Sequence, residues 1–277
     1  MPNKSNPGTT VILVVLAVVF LFPFVYLVGG SLKSNDDALT RPAQVFTSQL
    51  HFNNYLEVFR SENIDIPIQT MNSTITTFAV TFGQILVAAM AGYAFARIKF
   101  VGRDPIFMIF LATLIVPFEL LFVPLYIMLA RWGWVNTYLA LIIPSLGNPF
   151  AIFMFRQFFI TVPKELEEAM IVDGAGYLRI FWNLMLPLSA PPTVSIFILT
   201  WLAEWSGLLK QMIMVTDKKM YTLQVGLNFL NRGAQVTTPT IAYLMAGIVL
   251  ASIPPVIMFL ILQRKFVESI AATGLKG

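Results

Sequence analysis

Apolar residues in this chain come in long blocks rather than in alternation. Six windows reach the roughly 20 residues that a helix rising about 1.5 Å per residue needs to cross about 30 Å of hydrocarbon. They are residues 11–32, 71–95, 105–130, 137–155, 184–203 and 241–262. Backbone amides inside lipid must be satisfied within their own segment, so each window is expected to be a helix. The pattern predicts an all-α, polytopic membrane protein of six transmembrane helices, forming one transmembrane domain over residues 1–277. The first window resembles a secretory signal in having Lys4 before it and Gly29, Gly30 and Ser31 near its end. Its 22 residues exceed a signal core of roughly 7–15, so a retained helix is expected.

Prolines punctuate these windows: Pro23, Pro117, Pro124, Pro144, Pro149, Pro187, Pro191, Pro192, Pro254 and Pro255. Each removes a helical hydrogen bond and favours a kink. Pro117 and Pro124 bracket Glu119 in one window, where a kinked helix around a polar group can line a cavity. Ala88, Gly92 and Ala96 repeat every fourth residue in the second window, a stripe of small side chains that lets a neighbouring helix approach closely.

Composition agrees with lipid as the main solvent. Of 277 residues 57% are hydrophobic and 12% charged, against roughly 25% charged in an ordinary soluble domain, and the mean hydropathy is +0.76. With no cysteine and one histidine, His51 in a polar loop, the chain cannot build a disulfide framework, a thiolate zinc site or a multi-histidine metal site. The net charge of +4 is spread between apolar runs rather than gathered in one patch, which argues against nucleic acid.

An even number of spans puts both termini on one side. With the termini in the cytoplasm, ten basic residues lie inside: Lys4, Arg97, Lys99, Arg103, Arg156, Lys164, Arg179, Arg264, Lys265 and Lys276. Eight then lie outside: Lys33, Arg41, Arg60, Arg131, Lys210, Lys218, Lys219 and Arg232. The loop between the second and third spans packs Arg97, Lys99 and Arg103 into seven residues, whereas the first loop carries Asp36, Asp37, Glu57, Glu62 and Asp65. The positive-inside rule therefore favours cytoplasmic termini. The loop from Leu209 to Thr238, with four basic residues, runs against that rule.

The stretch between the fourth and fifth spans, residues 161–186, is not a plain connector. Pro163 starts a helix that has Glu165, Glu167 and Glu168 in its first turns. Gly174 and Gly176 then permit a sharp reversal with positive φ, and Tyr177 to Leu186 forms a second short amphipathic helix. Acids in a cytoplasmic loop suit an anionic leaflet poorly, and the knob fits docking into a partner protein better.

Glu168 and Ala169, then Asp173, Gly174 and Ala175, are followed nine residues after Gly174 by Leu184 and then by Leu186-Pro187. This resembles the EAA signature of ABC importer permeases: Glu-Ala-Ala, three residues, Gly, nine residues, an aliphatic residue, one residue, Leu-Pro. Met170 stands at the second alanine and Leu184 at the late isoleucine. Asn53-Asn54-Tyr55, Asn72-Ser73, AGYAFARIKFVG from Ala91 with Arg103, Tyr221-Thr222-Leu223 with Val225-Gly226-Leu227, and the tail QRKFVESIAATGLKG from Gln263 look like the second permease subunit of maltose-type carbohydrate importers.

That resemblance implies a type I ABC importer permease of the bacterial or archaeal cytoplasmic membrane, an inner-membrane component with both termini cytoplasmic. Its expected partners are a second homologous permease subunit, two cytoplasmic ATPase subunits, an extracytoplasmic solute-binding protein, a carbohydrate or related solute, and membrane lipid. It also implies that Glu167, Glu168, Ala169, Asp173, Gly174, Leu186 and Pro187 form the ATPase-coupling element. The chain has no G-x-x-x-x-G-K-[ST] phosphate loop, so no cofactor is expected on it, and ATP with Mg belongs to the ATPase subunits.

Glu119 and Glu204 fall inside spans, where charge costs roughly 2.5–3.5 kcal/mol on insertion scales and usually faces a cavity or a partner. Trp201, Glu204, Trp205 and Leu208 share one helical face. Aromatic planes beside a carboxylate suit a sugar, and tryptophans equally anchor at membrane interfaces. Glu119, Trp201, Glu204 and Trp205 are candidates for a substrate pathway, and Glu119 and Glu204 are also what an ion-coupled secondary transporter or channel would use as a proton relay. The acidic helix, glycine elbow and second helix distinguish the two readings, because a secondary transporter has no need of that knob. No grouping of nucleophile, base and stabiliser suggests an enzyme.

Overall fold

The computed structural model describes residues 7–61, 64–234 and 241–274. Lys4, Glu62 and Lys276 lie outside the described residues, as do the side chains of Arg232 and of the tail from 264 onward. In chain order the helices are α1 (Pro7–Ser31), α2 (Asn35–Thr40), α3 (Asn53–Arg60), α4 (Ile66–Arg97), α5 (Arg103–Ala112), α6 (Phe122–Arg131), α7 (Tyr138–Ile142) and α8 (Pro149–Thr161). They continue with α9 (Lys164–Val172), α10 (Tyr177–Ile180), α11 (Leu186–Leu188), α12 (Ala190–Trp205), α13 (Leu209–Met214), α14 (Leu223–Ala234) and α15 (Ile241–Gly274). There is no strand among the described residues.

Every predicted span falls on helix, and three are continuous: Gly8–Ser31, Ile66–Arg97 and Ile241–Gln263. The other three, expected as single helices, are broken, which brings the count to six if each bent pair is one span. The third turns by 93° between Arg103–Ile115 and Phe118–Arg131. Its break lies at Val116-Pro117, where Val116 is extended (φ −85°, ψ 114°), the conformation that a following proline imposes. Pro124 sits in the first turn of α6 and does not interrupt it. The fourth bends by 43° before Asn148, whose side chain caps α8 by accepting from the amides of Phe150 and Ala151. The fifth bends by 75° between Tyr177–Leu188 and Ala190–Trp205, so the stretch from Leu184 to Leu188 belongs to the arm before the span.

The chain divides into two compact units, 1–68 with 225–256 and 69–224 with 257–277. In the first unit α1 exposes an apolar surface from Val11 to Val25, and only its last turn, Gly29 to Ser31, is buried. There Asn54 donates to the carbonyls of Ser31 (2.8 Å) and Lys33 (2.7 Å), and the Tyr55 and Ser31 hydroxyls lie 2.8 Å apart. The Asn-Asn-Tyr motif is thus a latch between α3 and the end of α1. Lys33 is fully buried and donates to the Arg41 carbonyl at 3.0 Å.

The second unit is built around α4 and α8. Ile85, Ala88, Ala89 and Tyr93 of α4 pack with Ala151, Ile152, Phe155 and Phe159 of α8, and with Phe181, Met185 and Ile196 further on. The small-residue stripe has the expected use: a Cβ on Gly92 would lie 2.7 Å from Phe155 Cβ and 2.9 Å from the Arg156 backbone nitrogen. Only glycine permits that approach. At the other end of α4, Asn72 donates to the carbonyls of Lys219 (2.8 Å) and Tyr221 (2.9 Å) and accepts from Tyr138 Oη (2.6 Å). Ser73 Oγ accepts the Leu223 amide at 2.9 Å. The Asn-Ser and Tyr-Thr-Leu motifs, distant in sequence, therefore meet as one clamp.

Candidate coupling site

The helix α9 begins after Pro163, as its sequence suggests, and ends in a Schellman turn. The Ala175 amide bonds to the Met170 carbonyl and the Gly174 amide to the Ile171 carbonyl, both at 2.9 Å. Gly174 has φ +77°, so the reversal rests on this one glycine. Gly176, expected to share the role, is extended at φ −78°, ψ 168°. Beyond it, the helix expected over Tyr177 to Leu186 is α10, a π-helical turn from Phe181 to Met185, then α11. The π turn buries both Phe181 and Met185 against the core, and Ser189 closes the arm by donating to the Leu186 carbonyl at 2.8 Å.

The knob has two unlike sides. Met170, Ala175, Ile180, Leu184 and Leu186 pack against the core of their own unit. The two departures from the EAA pattern, Met170 and Leu184, are therefore inward residues: Met170 adds bulk within the chain, and Leu184 keeps the volume of an isoleucine. On the other side Glu168, Ala169, Asp173, Gly174 and Pro187 are exposed. Around them Leu166, Ile171, Val172, Tyr177 and Leu178 are exposed at 44–86%. A solvent-facing helix does not need such an apolar rim around two acids, whereas a docking surface does.

Glu167, grouped by sequence with Glu168, points inward. Its carboxylate lies 3.6 Å from Arg97 Nε at the end of α4, with both side chains largely buried (7% and 13% exposed). Tyr93, one turn before Arg97, lies beside the same carboxylate, and Arg97 also donates to the Val162 carbonyl just before α9. Burial pushes the Glu167 pKa above the ordinary glutamate value, and it outweighs the opposing pull of Arg97, Tyr93 and Lys164. From sequence Arg97 counts only as an inside basic residue and as part of AGYAFARIKFVG; the signal for its pairing is a basic residue closing a transmembrane helix in a chain with an acidic loop.

The pathway candidates separate. Trp201 and Trp205 are both 3% exposed, with rings stacked at 5.2 Å and 3°, and Phe78 lies edge-on to Trp201 at 6.5 Å. Glu204 is bound to Lys210, whose Nζ lies 2.8 Å from Oε1 and 2.7 Å from Oε2. Lys210 also donates to Ser145 Oγ (2.6 Å) and the Leu141 carbonyl (3.2 Å). The pair is buried, at 8% and 15% side-chain exposure, and joins the end of α12 to the broken fourth span. Sequence spacing hides it because Ser206 and Gly207 interrupt the helix between the partners, so i,i+4 logic does not apply. Glu119 is elsewhere, exposed in the 3₁₀ turn from Phe118 to Leu121 at the sharp bend.

Comparison with known proteins agrees with this architecture. The chain is 30% identical over 286 residues to the arabinooligosaccharides transport system permease protein AraQ of Halalkalibacterium halodurans, covering all of both chains. It is 31% identical over 268 residues to the sn-glycerol-3-phosphate transport system permease protein UgpE of Agrobacterium fabrum, covering 94% of each. Its fold superposes with a TM-score of 0.79, at 21% identity, on the crystal structure of a bacterial ABC transporter involved in the import of the acidic polysaccharide alginate, covering 96% of this chain and 100% of that one. The family described as binding-protein-dependent transport system inner membrane component matches over residues 69–271, a stretch that includes the α9 knob, the buried Glu204–Lys210 pair and the Asn72 clamp, and the chain belongs to that family.

Proposed function

We propose that this chain is the permease subunit of an importer for a sugar or a sugar-like solute such as a glycerol phosphate, driven by ATP hydrolysed on separate subunits. The two-sided knob carries the reading. Glu168, Ala169, Asp173, Gly174 and Pro187 present α9 and its elbow to a cleft on a cytoplasmic ATPase, and the inward face, with Glu167 and Leu186, fastens it to the transmembrane core. ATP and Mg are held by two such ATPase subunits. A second homologous permease subunit completes the pathway, and an extracytoplasmic binding protein delivers solute to the side opposite the knob. Both termini and the knob then lie in the cytoplasm. The relatives' names, which cite arabinooligosaccharides and sn-glycerol-3-phosphate, support the solute class.

The test is assembly. Val172→Asp and Glu168→Arg alter exposed side chains, so the permease should still fold and insert, yet copurification of the ATPase subunit should fall at least about tenfold, as expected for a charge buried unpaired in an interface. Undiminished recovery of the ATPase with both variants would rule out this surface as its dock. An ion-coupled reading is poorly served by Glu204, which is already neutralised by Lys210.

A further inference from the structure

The geometry points to Arg97 as the positioning residue that carries movement of the α9 knob to the second transmembrane helix. The inference rests on the knob being the ATPase contact. Three observations support it. First, α9 has few ways to push on the spans. Its outward side is the docking face, and its inward apolar side chains are held by shape alone. Glu167 is the acidic residue of α9 that reaches back into the unit, and what it meets is the last residue of α4, with Tyr93 one turn earlier.

Second, Arg97 grips both ends of the hinge into the knob. Its guanidinium donates to the Val162 carbonyl, at the link between α8 and α9, while facing Glu167 on α9 itself. Movement of α9 relative to α8 must therefore strain or relieve contacts of this one side chain.

Third, the pair is incompletely engaged. The separation of 3.6 Å exceeds the roughly 2.7–2.9 Å of a charge-assisted hydrogen bond. Arg97 Nε and Glu167 Oε1 are buried without a hydrogen-bond partner. Unpaired buried polar atoms of opposite charge favour approach, so a shift of α9 toward α4 by under about 1 Å closes a direct bond. The knob thus has a position of tighter engagement available, and closure of the ATPase subunits would select it.

The chain has no native cysteine, which makes a direct test practical. Nitroxide labels are placed on Glu165→Cys, exposed in the first turn of α9 and outside the docking face, and on Met90→Cys, two turns before Arg97 on α4. The labelled permease is assembled with its partner subunits in proteoliposomes, and ATP plus vanadate is the probe. In the parent both line shapes should change. In Arg97→Met the Glu165 label should still respond, while the Met90 response falls about fivefold or more, the range of an ordinary coupling free energy. Arg97→Lys, which keeps the charge, should recover part of it, and ATP hydrolysis should continue in both. A Met90 response equal to the parent in Arg97→Met would overturn the inference. So would equal losses in Arg97→Met and Arg97→Lys, which would mark steric support rather than charge. A Glu165 label silent in the parent would instead count against the knob as the ATPase contact, so the two failures are distinguishable.

Discussion

The buried pair of Glu204 and Lys210 allows a double-mutant cycle whose outcome follows from its geometry. At 2.7 Å two unit charges attract by about 6 kcal/mol at an effective dielectric near 20. Desolvating each ion costs several kcal/mol, so the pair should be close to neutral overall while each half alone is costly. Lys210→Met leaves the carboxylate buried and empties the contacts to Ser145 and Leu141, and should destabilise by about 3–5 kcal/mol. Glu204→Gln keeps an oxygen acceptor for Lys210, and Ser145 and Leu141 still serve the other two ammonium hydrogens, so about 1–3 kcal/mol is expected. The double substitution should fall within about 2 kcal/mol of the parent, giving a coupling energy of at least about 2 kcal/mol. Unfolding in mixed micelles with increasing dodecyl sulfate, followed by far-ultraviolet circular dichroism, measures all four corners. A double variant as unstable as the sum of the singles would refute the claim that these charges exist to satisfy one another.

Three further outcomes are expected. Gly174→Ala places a Cβ in open space but at φ +77°, so it should cost about 1–2 kcal/mol in backbone strain alone; capture of the ATPase subunit should fall, with Gly174→Asn milder, and equal capture by all three proteins would contradict a left-handed requirement. Asn72→Ala removes three hydrogen bonds that hold residues 219–221 and Tyr138. That segment should become cleavable by protease while the helical content is unchanged, and parental resistance would refute the clamp. The raised Glu167 pKa means the folded protein binds that proton more tightly than the unfolded chain, so its contribution is full below the unfolded value of 4.5 and is lost as pH rises through the higher folded value. Melting temperature should decline over that window in the parent and stay flat across it in Glu167→Gln; parallel slopes would exclude the shift.

How far the sequence could be read depended on the kind of interaction. Span positions were legible because the cost of exposing backbone in lipid is paid residue by residue along the chain, and the windows at 71–95 and 241–262 fall inside α4 and α15. The breaks were only half legible. Prolines marked them, yet Pro23, Pro254 and Pro255 stand inside continuous helices while Pro117 begins a 93° turn. At the bend Val116 is extended and Glu119 lies in a 3₁₀ turn, whereas the helix runs unbroken through Pro23, Pro254 and Pro255. Packing partners across the fold were hidden. Asn54, Asn72 and Ser73 looked like motifs without a mechanism until their carbonyl and amide partners, up to 150 residues away, were visible.

The basic residues show why charge along a chain is an incomplete guide to charge on a surface. Lys210 counts among the eight that weaken the positive-inside balance, yet its ammonium is matched by Glu204 and buried. Lys33, another of the eight, is buried with its charge over the Tyr26 ring at 5.9 Å and its hydrogen bond on a carbonyl. Arg97, counted on the opposite side, is likewise spent on Glu167. A topology rule that reads unpaired charge beside a bilayer should discount such residues in proportion to their pairing. Arg103, tied to Asp104, is discounted as well, which leaves Lys99 and Lys164 against Arg131, Lys218 and Lys219 among the exposed groups near span ends, a contrast too even to fix orientation. Under the proposed function the knob is the stronger determinant: its face of acids ringed by apolar side chains belongs on the side where the ATPase meets it.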